Sequence, residues 1–102
     1  MKTLLIAEPA GRDLEAIVDY IARENPAAAE NVYRQIARTA AKLPEFPALG
    51  RPGRFSGTRE MNVAGSPYLI VYEVNVEAVT ILAVFHTSRN LAAALRDRME
   101  GS

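Results

Sequence analysis

The sequence has no cysteine, one histidine and only two lysines, Lys2 and Lys42. Without cysteine there is neither a disulfide framework nor a thiolate metal site, and a single histidine leaves too few ligands for zinc. No metal and no other cofactor is expected. No apolar run is long enough to span a bilayer, and the N-terminus carries no secretory signal. These absences together read as a cytoplasmic protein without a membrane partner. An excess of positive charge is missing as well: twelve basic residues balance twelve acidic ones. A protein that gripped nucleic acid mainly by neutralising phosphates would show a larger surplus. Low-complexity tracts and internal repeats are also absent.

What is present is an ordinary globular composition, with 49% hydrophobic and 24% charged residues over 102 positions. A chain of this length forms one domain and buries roughly 60–65% of the surface its unfolded form exposes. The domain is placed at residues 1–100, and Gly101-Ser102 reads as an appended remnant. The positive charge is mostly arginine. Arg51, Arg54 and Arg59 fall close together and Arg89 follows later. The planar guanidinium favours bidentate contacts with carboxylate or phosphate.

Thr3 to Ala7 is a short apolar run without helical period and reads as a strand. Pro9 suits the first turn of a helix in which Leu14, Ile17, Val18 and Ile21 recur at helical spacing as one buried stripe. Asn25-Pro26 reads as a break and restart, asparagine capping the next helix and proline filling its first position. The second stripe runs Ala29, Val32, Tyr33, Ile36, Ala37, Ala40 and Leu43, and Pro44 ends it. So short a connection makes the two helices an antiparallel hairpin.

Pro44 to Gly57 holds three prolines and three glycines among Phe46, Leu49 and Phe55, a loop with apolar anchors. Arg59 to Val63 then alternates, Gly65-Ser66-Pro67 turns, and Tyr68 to Val74 and Val79 to Phe85 are two further strands joined at Asn75 to Ala78. The last of these is apolar on both faces, as a strand covered on both sides must be. Asn90 can cap a short final helix, Leu91 to about Met99, with a narrow stripe of Leu91, Leu95 and Met99. The expected fold is α+β: an N-terminal strand, an antiparallel two-helix hairpin packed on a meander of three further strands, and a short C-terminal helix. The first strand is expected beside the meander.

Several pieces taken in this order resemble the RelE/ParE superfamily of bacterial toxins. They are Asp13-Leu14, Asp19-Tyr20-Ile21, Asn25-Pro26 with Ala27-Ala28, Gly50-Arg51, Arg59-Glu60-Met61, Pro67 to Tyr72, and Ile81-Leu82 with Val84, His86 and Arg89. The resemblance covers nearly the whole chain up to Arg89. It implies the toxin of a two-gene module, in the cytoplasm, neutralised by an antitoxin whose disordered segment folds on the toxin surface. It also admits a homodimer, or a heterotetramer with the antitoxin. RelE-like members cut messenger RNA inside the ribosome, whereas ParE-like members poison DNA gyrase by binding.

RNA cleavage through the 2'-hydroxyl needs a base, an acid and cations around the phosphorane. His86, Arg59 and Arg89 are the candidates for such a site, with Glu60 a further acid or base. The RelE-like pattern, however, is lysine-rich and often ends on a functional tyrosine, and here no tyrosine follows Tyr72. The bland reading of His86 is a strand-end histidine bonded to backbone. Target or antitoxin contacts are expected at Arg51, Arg54, Arg59, His86, Arg89, Leu91 and Leu95; the arginines read equally as solvated loop charge. Tyr68 and Tyr72 share a strand face and read as core before they read as a stacking platform. The final helix could dock on the domain, on a second copy, or give way to an antitoxin helix. The ParE-like reading, a gyrase-binding toxin, takes precedence over the ribosome-dependent endoribonuclease.

Overall fold

The structure, a computed structural model, describes residues 1–101. The first strand, β1 (Thr3–Ile6), enters a five-stranded sheet at once. It lies at the edge and pairs in parallel with β5 (Ala78–His86), Ile6 standing opposite Ile81. A parallel pair needs a long crossover, and most of the chain supplies it. The reading of Gly101-Ser102 as a remnant falls partly on Ser102, outside the described residues, while Gly101 is the last residue of a helix.

The crossover begins with α1 (Glu8–Ala22) and α2 (Pro26–Lys42). The Asn25 side-chain oxygen accepts the Ala28 N–H at 3.0 Å, and Pro26 occupies the first position, where no N–H is needed. The chain then forms β2 (Arg51–Pro52), β3 (Thr58–Asn62) and β4 (Tyr68–Val74) before β5, in the spatial order β1-β5-β4-β3-β2. The antiparallel meander of β3, β4 and β5 matches the expected strands to within one residue. Two-residue β2, in the stretch expected to be loop, adds an outer strand with Arg51 opposite Glu60. The β3–β4 turn is closed by Gly65 at φ +75°, a conformation in which a Cβ is disfavoured. Asn75 closes the next turn, its side chain accepting the N–H groups of Glu77 and Ala78.

Both faces of the sheet are covered. On one, Tyr68, Ile70, Tyr72, Val79, Ile81 and Val84 pack against Ala10, Ile36, Ala40 and Leu43 of the hairpin and its end. Tyr68 and Tyr72 are therefore core residues. On the other face, Leu69, Val71, Ala83 and Phe85 are covered by α3 (Leu91–Gly101) through Ala94 and Leu95. Asn90 caps α3 by accepting the Ala93 N–H. The final helix thus docks on its own domain, and burial of Leu95 contributes about 1.5–3 kcal/mol.

The helical stripes are shallower than expected. In α1 only Ala10 is buried, and Leu14, Ile17 and Ile21 are half-buried, while Val18 lies outside the core cluster. Tyr33 is 48% exposed and Ala37 is exposed. Met99, placed on the α3 stripe, is 38% exposed, and Ala94 takes the inward position. Tyr33 and Ala37 instead line an apolar pocket with Leu4, Ile6, Ile70, Ile81 and Val84 of the sheet.

Candidate functional site

Pairing between β1 and β5 stops at Ile6 and Ile81, which leaves the upper edge of β5 without a neighbouring strand. Residue Leu82 is also bulged, because Tyr72 pairs with Ile81 and Val71 with Ala83. Side chains complete this edge. Asp13 of α1 accepts the Val84 N–H at 3.0 Å, and Arg98 of α3 donates to the Leu82 carbonyl at 2.8 Å. The two side chains meet in a two-pronged pair, 2.7 and 2.9 Å. The Arg98 pKa is raised, first by its hydrogen bond to Asp13 and then by that carboxylate's charge, against the opposing effect of burial. Sequence reasoning cited Asp13 only within a motif and missed Arg98. The available signal was a carboxylate beside Leu14, on the flank of an apolar stripe.

His86 ends β5 opposite Tyr68, with the two rings edge to face at 5.3 Å and 84°. Its Nδ1 accepts the Ser88 N–H at 3.0 Å, and its carbonyl accepts the Arg89 N–H. The Nδ1 lone pair is therefore engaged in the Ser88 contact. Burial raises the pKa of the Tyr68 hydroxyl beside it, with the charge of Tyr20 adding to the effect. The Arg89 guanidinium lies 4.8 Å above the Phe85 ring, on the other face of β5.

The three clustered arginines do not share a face. Arg51 points to the α3 face with Glu60 and Asn62: it donates to the Asn62 side chain at 2.9 Å and lies 3.5 Å from Glu60. Glu60 is 2% exposed and accepts the Arg54 backbone N–H at 2.9 Å, with the Arg54 guanidinium 3.9 Å away. This pairing satisfies a buried carboxylate that would be costly alone. Arg59, one residue earlier on β3, points to the hairpin face and donates to the Gly50 carbonyl at 2.7 Å.

Gly50 is held from both sides. Its N–H donates to the Tyr72 hydroxyl, which itself donates to the Pro47 carbonyl, each at 2.8 Å. A Cβ at Gly50 would fall 2.6 Å from the Tyr72 hydroxyl and 2.8 Å from the Glu60 carbonyl oxygen. Only glycine fits, and the Gly50-Arg51 motif has a steric cause.

His86 and Arg89 thus stand together at one end of the sheet, and Arg59 does not join them. Tyr68 lies across from His86 and Tyr72 across from Arg59, so the two are offset by about 13 Å along the strands with β4 between. Leu91 and Leu95 face the sheet rather than solvent, Leu95 at 1% exposure and Leu91 half-buried at the margin. Among the described residues no group of three or more histidines and carboxylates is arranged to hold a metal, and no helix is long and apolar enough to cross a membrane.

Comparison with known proteins agrees with this architecture. The family model described as the ParE toxin of the type II toxin–antitoxin system parDE matches residues 4–91. The chain is 43% identical over 75 residues to Y4kP of Sinorhizobium fredii, spanning 74% of this chain and 77% of that protein. It is 35% identical over 77 residues to toxin RelE2 of Caulobacter vibrioides, spanning 76% and 85%. A chain of the chromosomal ParDE system from P. aeruginosa shares the fold with a TM-score of 0.78 at 24% identity, covering 84% of this chain and 96% of that one. The helical hairpin, the meander and their matching residues make this chain a member of the ParE toxin family of type II toxin–antitoxin systems.

Proposed function

We propose that this toxin arrests growth in the cytoplasm by binding its target, DNA gyrase, rather than by cutting RNA, and that a cognate acidic antitoxin neutralises it. The observation that supports binding over catalysis is the state of His86. A general base needs a free lone pair, and the Nδ1 lone pair is engaged by the Ser88 N–H. Other groups a nuclease would recruit stand away from His86. Glu60 is buried between arginines on the α3 face, and Lys2 donates to the carbonyls of Asn75 and Val76 at the opposite end of β5 from His86. Arg59 braces Gly50. Arg51, Arg54 and Arg89 are exposed on the α3 side and offer guanidinium groups to an acidic partner. An antitoxin partner is supported by the ParDE toxin–antitoxin system to which the structural neighbour belongs.

The name of the relative RelE2 favours a second reading, a ribosome-dependent endoribonuclease with His86 and Arg89 nearest the chemistry. Pulse labelling separates the two. After induction of the chain alone in a bacterium, thymidine incorporation is expected to fall before methionine incorporation. Purified chain is expected to inhibit supercoiling by gyrase. An early loss of methionine incorporation with cut messenger RNA would overturn the gyrase reading.

A further inference from the structure

The arginines of this fold divide by whether a carboxylate meets them. Arg51 and Arg54 approach Glu60, and Arg98 is paired with Asp13. Arg59 is different. It is half-buried, one Nη1 hydrogen bond goes to the Gly50 carbonyl, and among the described residues no carboxylate lies within ion-pairing distance of it. A guanidinium has five N–H donors, so most of its capacity is unspent. The Gly50 bond nevertheless fixes where the group sits, because Gly50 is itself clamped by Tyr72.

Arg59 lines a cleft of about 390 Å³ between the Pro47–Pro52 side of the loop and the start of β3. It is also lined by Pro47, Ala48, Pro52 and Val74, apolar and short, and by Gly57 and Thr58. Thr58 spends its hydroxyl proton on the Phe55 carbonyl, which leaves Arg59 as the polar anchor. A fixed cation inside apolar walls selects an anion with a hydrocarbon body, since the walls reward the chain and the fork rewards two coplanar oxygens.

We propose that this cleft is a carboxylate-binding site in which Arg59 takes a carboxylate carried on a short aliphatic chain. The ligand chemistry is that of butyrate, of a glutamate side chain or of an apolar chain end. The site does not depend on the gyrase reading, because it lies on the opposite sheet face from Arg51 and Glu60 and is offset from His86.

The test is an NMR titration of the arginine Nε–H and backbone amide signals of the full chain at constant ionic strength. Butyrate is expected to shift Arg59 and residues 47–52 saturably, and butyramide, of the same shape without charge, is expected to shift neither. Inorganic phosphate is expected to bind more weakly than butyrate. Ala48→Phe fills the cleft from an exposed position and is expected to abolish the butyrate response with the rest of the spectrum intact. Arg59→Lys keeps the charge but loses the fork and is expected to weaken binding several-fold. Two blocked peptides identify the source: tighter binding of one with an internal glutamate assigns a partner's side chain, tighter binding of one with a free carboxyl end assigns a chain terminus, and butyrate binding better than both assigns a free small acid. Linear, unsaturated shifts, an equal response to butyramide, or unchanged butyrate binding in Ala48→Phe overturns the proposal.

Discussion

Asp13 of α1 and Arg98 of α3 are joined across the upper edge of β5 by hydrogen bonds of 2.7 and 2.9 Å, where no strand pairs with it. The pair does two things at once. It ties the helices of opposite sheet faces together, and it satisfies the Val84 N–H and the Leu82 carbonyl. Asp13→Ala leaves Arg98 and Val84 without that partner, and the cost is expected at about 3 kcal/mol, the low end for breaking a buried pair because both groups keep some exposure. Asp13→Asn still offers an oxygen to Val84 and is expected to cost about half as much. Urea unfolding checks the magnitudes. Hydrogen exchange at Ala94 and Leu95 should quicken in both variants, and unchanged exchange there would show that Asp13 does not hold α3.

Gly50→Ala is expected to lower stability by about 2 kcal/mol or more, since a methyl group would press on the Tyr72 hydroxyl and on the Glu60 backbone. Tyr72→Phe removes the acceptor of the Gly50 N–H and the donor to Pro47 and is expected to cost about 1–3 kcal/mol. The two effects share one cause, so the double variant should lose less than the sum. Additive losses in a thermal melt would mean that Tyr72 does not position the loop.

Much of this fold is written in local pattern. The hairpin is legible because a cap and a proline stand together at Asn25-Pro26, and the meander because Gly65 and Asn75 close turns at the right distances. Other features leave no local trace. Strand β2 is two residues long, too short to alternate. Asp13 and Arg98 lie 85 positions apart and meet only because α1 and α3, on opposite faces of the sheet, reach the same edge of β5. The arginine cluster misleads for the opposite reason: Arg51 and Arg59 are near in sequence, but strand alternation puts them on opposite faces. Tyr33 carries the helical period of a core residue, yet it is 48% exposed and lines a pocket over β1 and β5 rather than filling the core.

Tyr68 gives the stability a dependence on alkaline pH. Its folded pKa is raised above the usual tyrosine value of 10.0, chiefly by burial. A group with a raised folded pKa contributes stability that is complete below the unfolded pKa and lost as pH climbs through the folded one. Unfolding free energy is therefore expected to decline above about pH 10, where the unfolded tyrosine releases its proton first. Tyr68→Phe should flatten that decline while leaving stability near pH 7 within about 1 kcal/mol. An equal slope in wild type and variant between pH 9 and 11, on the order of the tyrosine range, would assign it to other groups.

His86→Gln separates the structural role of this residue from a chemical one. The glutamine side-chain oxygen can accept the Ser88 N–H in place of Nδ1, but an amide neither takes up nor releases a proton near neutral pH. For a toxin that acts by binding, growth arrest on induction should survive the change, with the melting temperature lowered by a few degrees at most through loss of the Tyr68 ring contact. Arg89→Ala on the adjoining turn tests the same end of the sheet without touching a titrating group. Arrest that survives His86→Gln but fails with Arg89→Ala points to a contact surface. Arrest abolished by His86→Gln in a protein that still folds assigns the histidine to proton transfer, and with it the messenger-cutting reading.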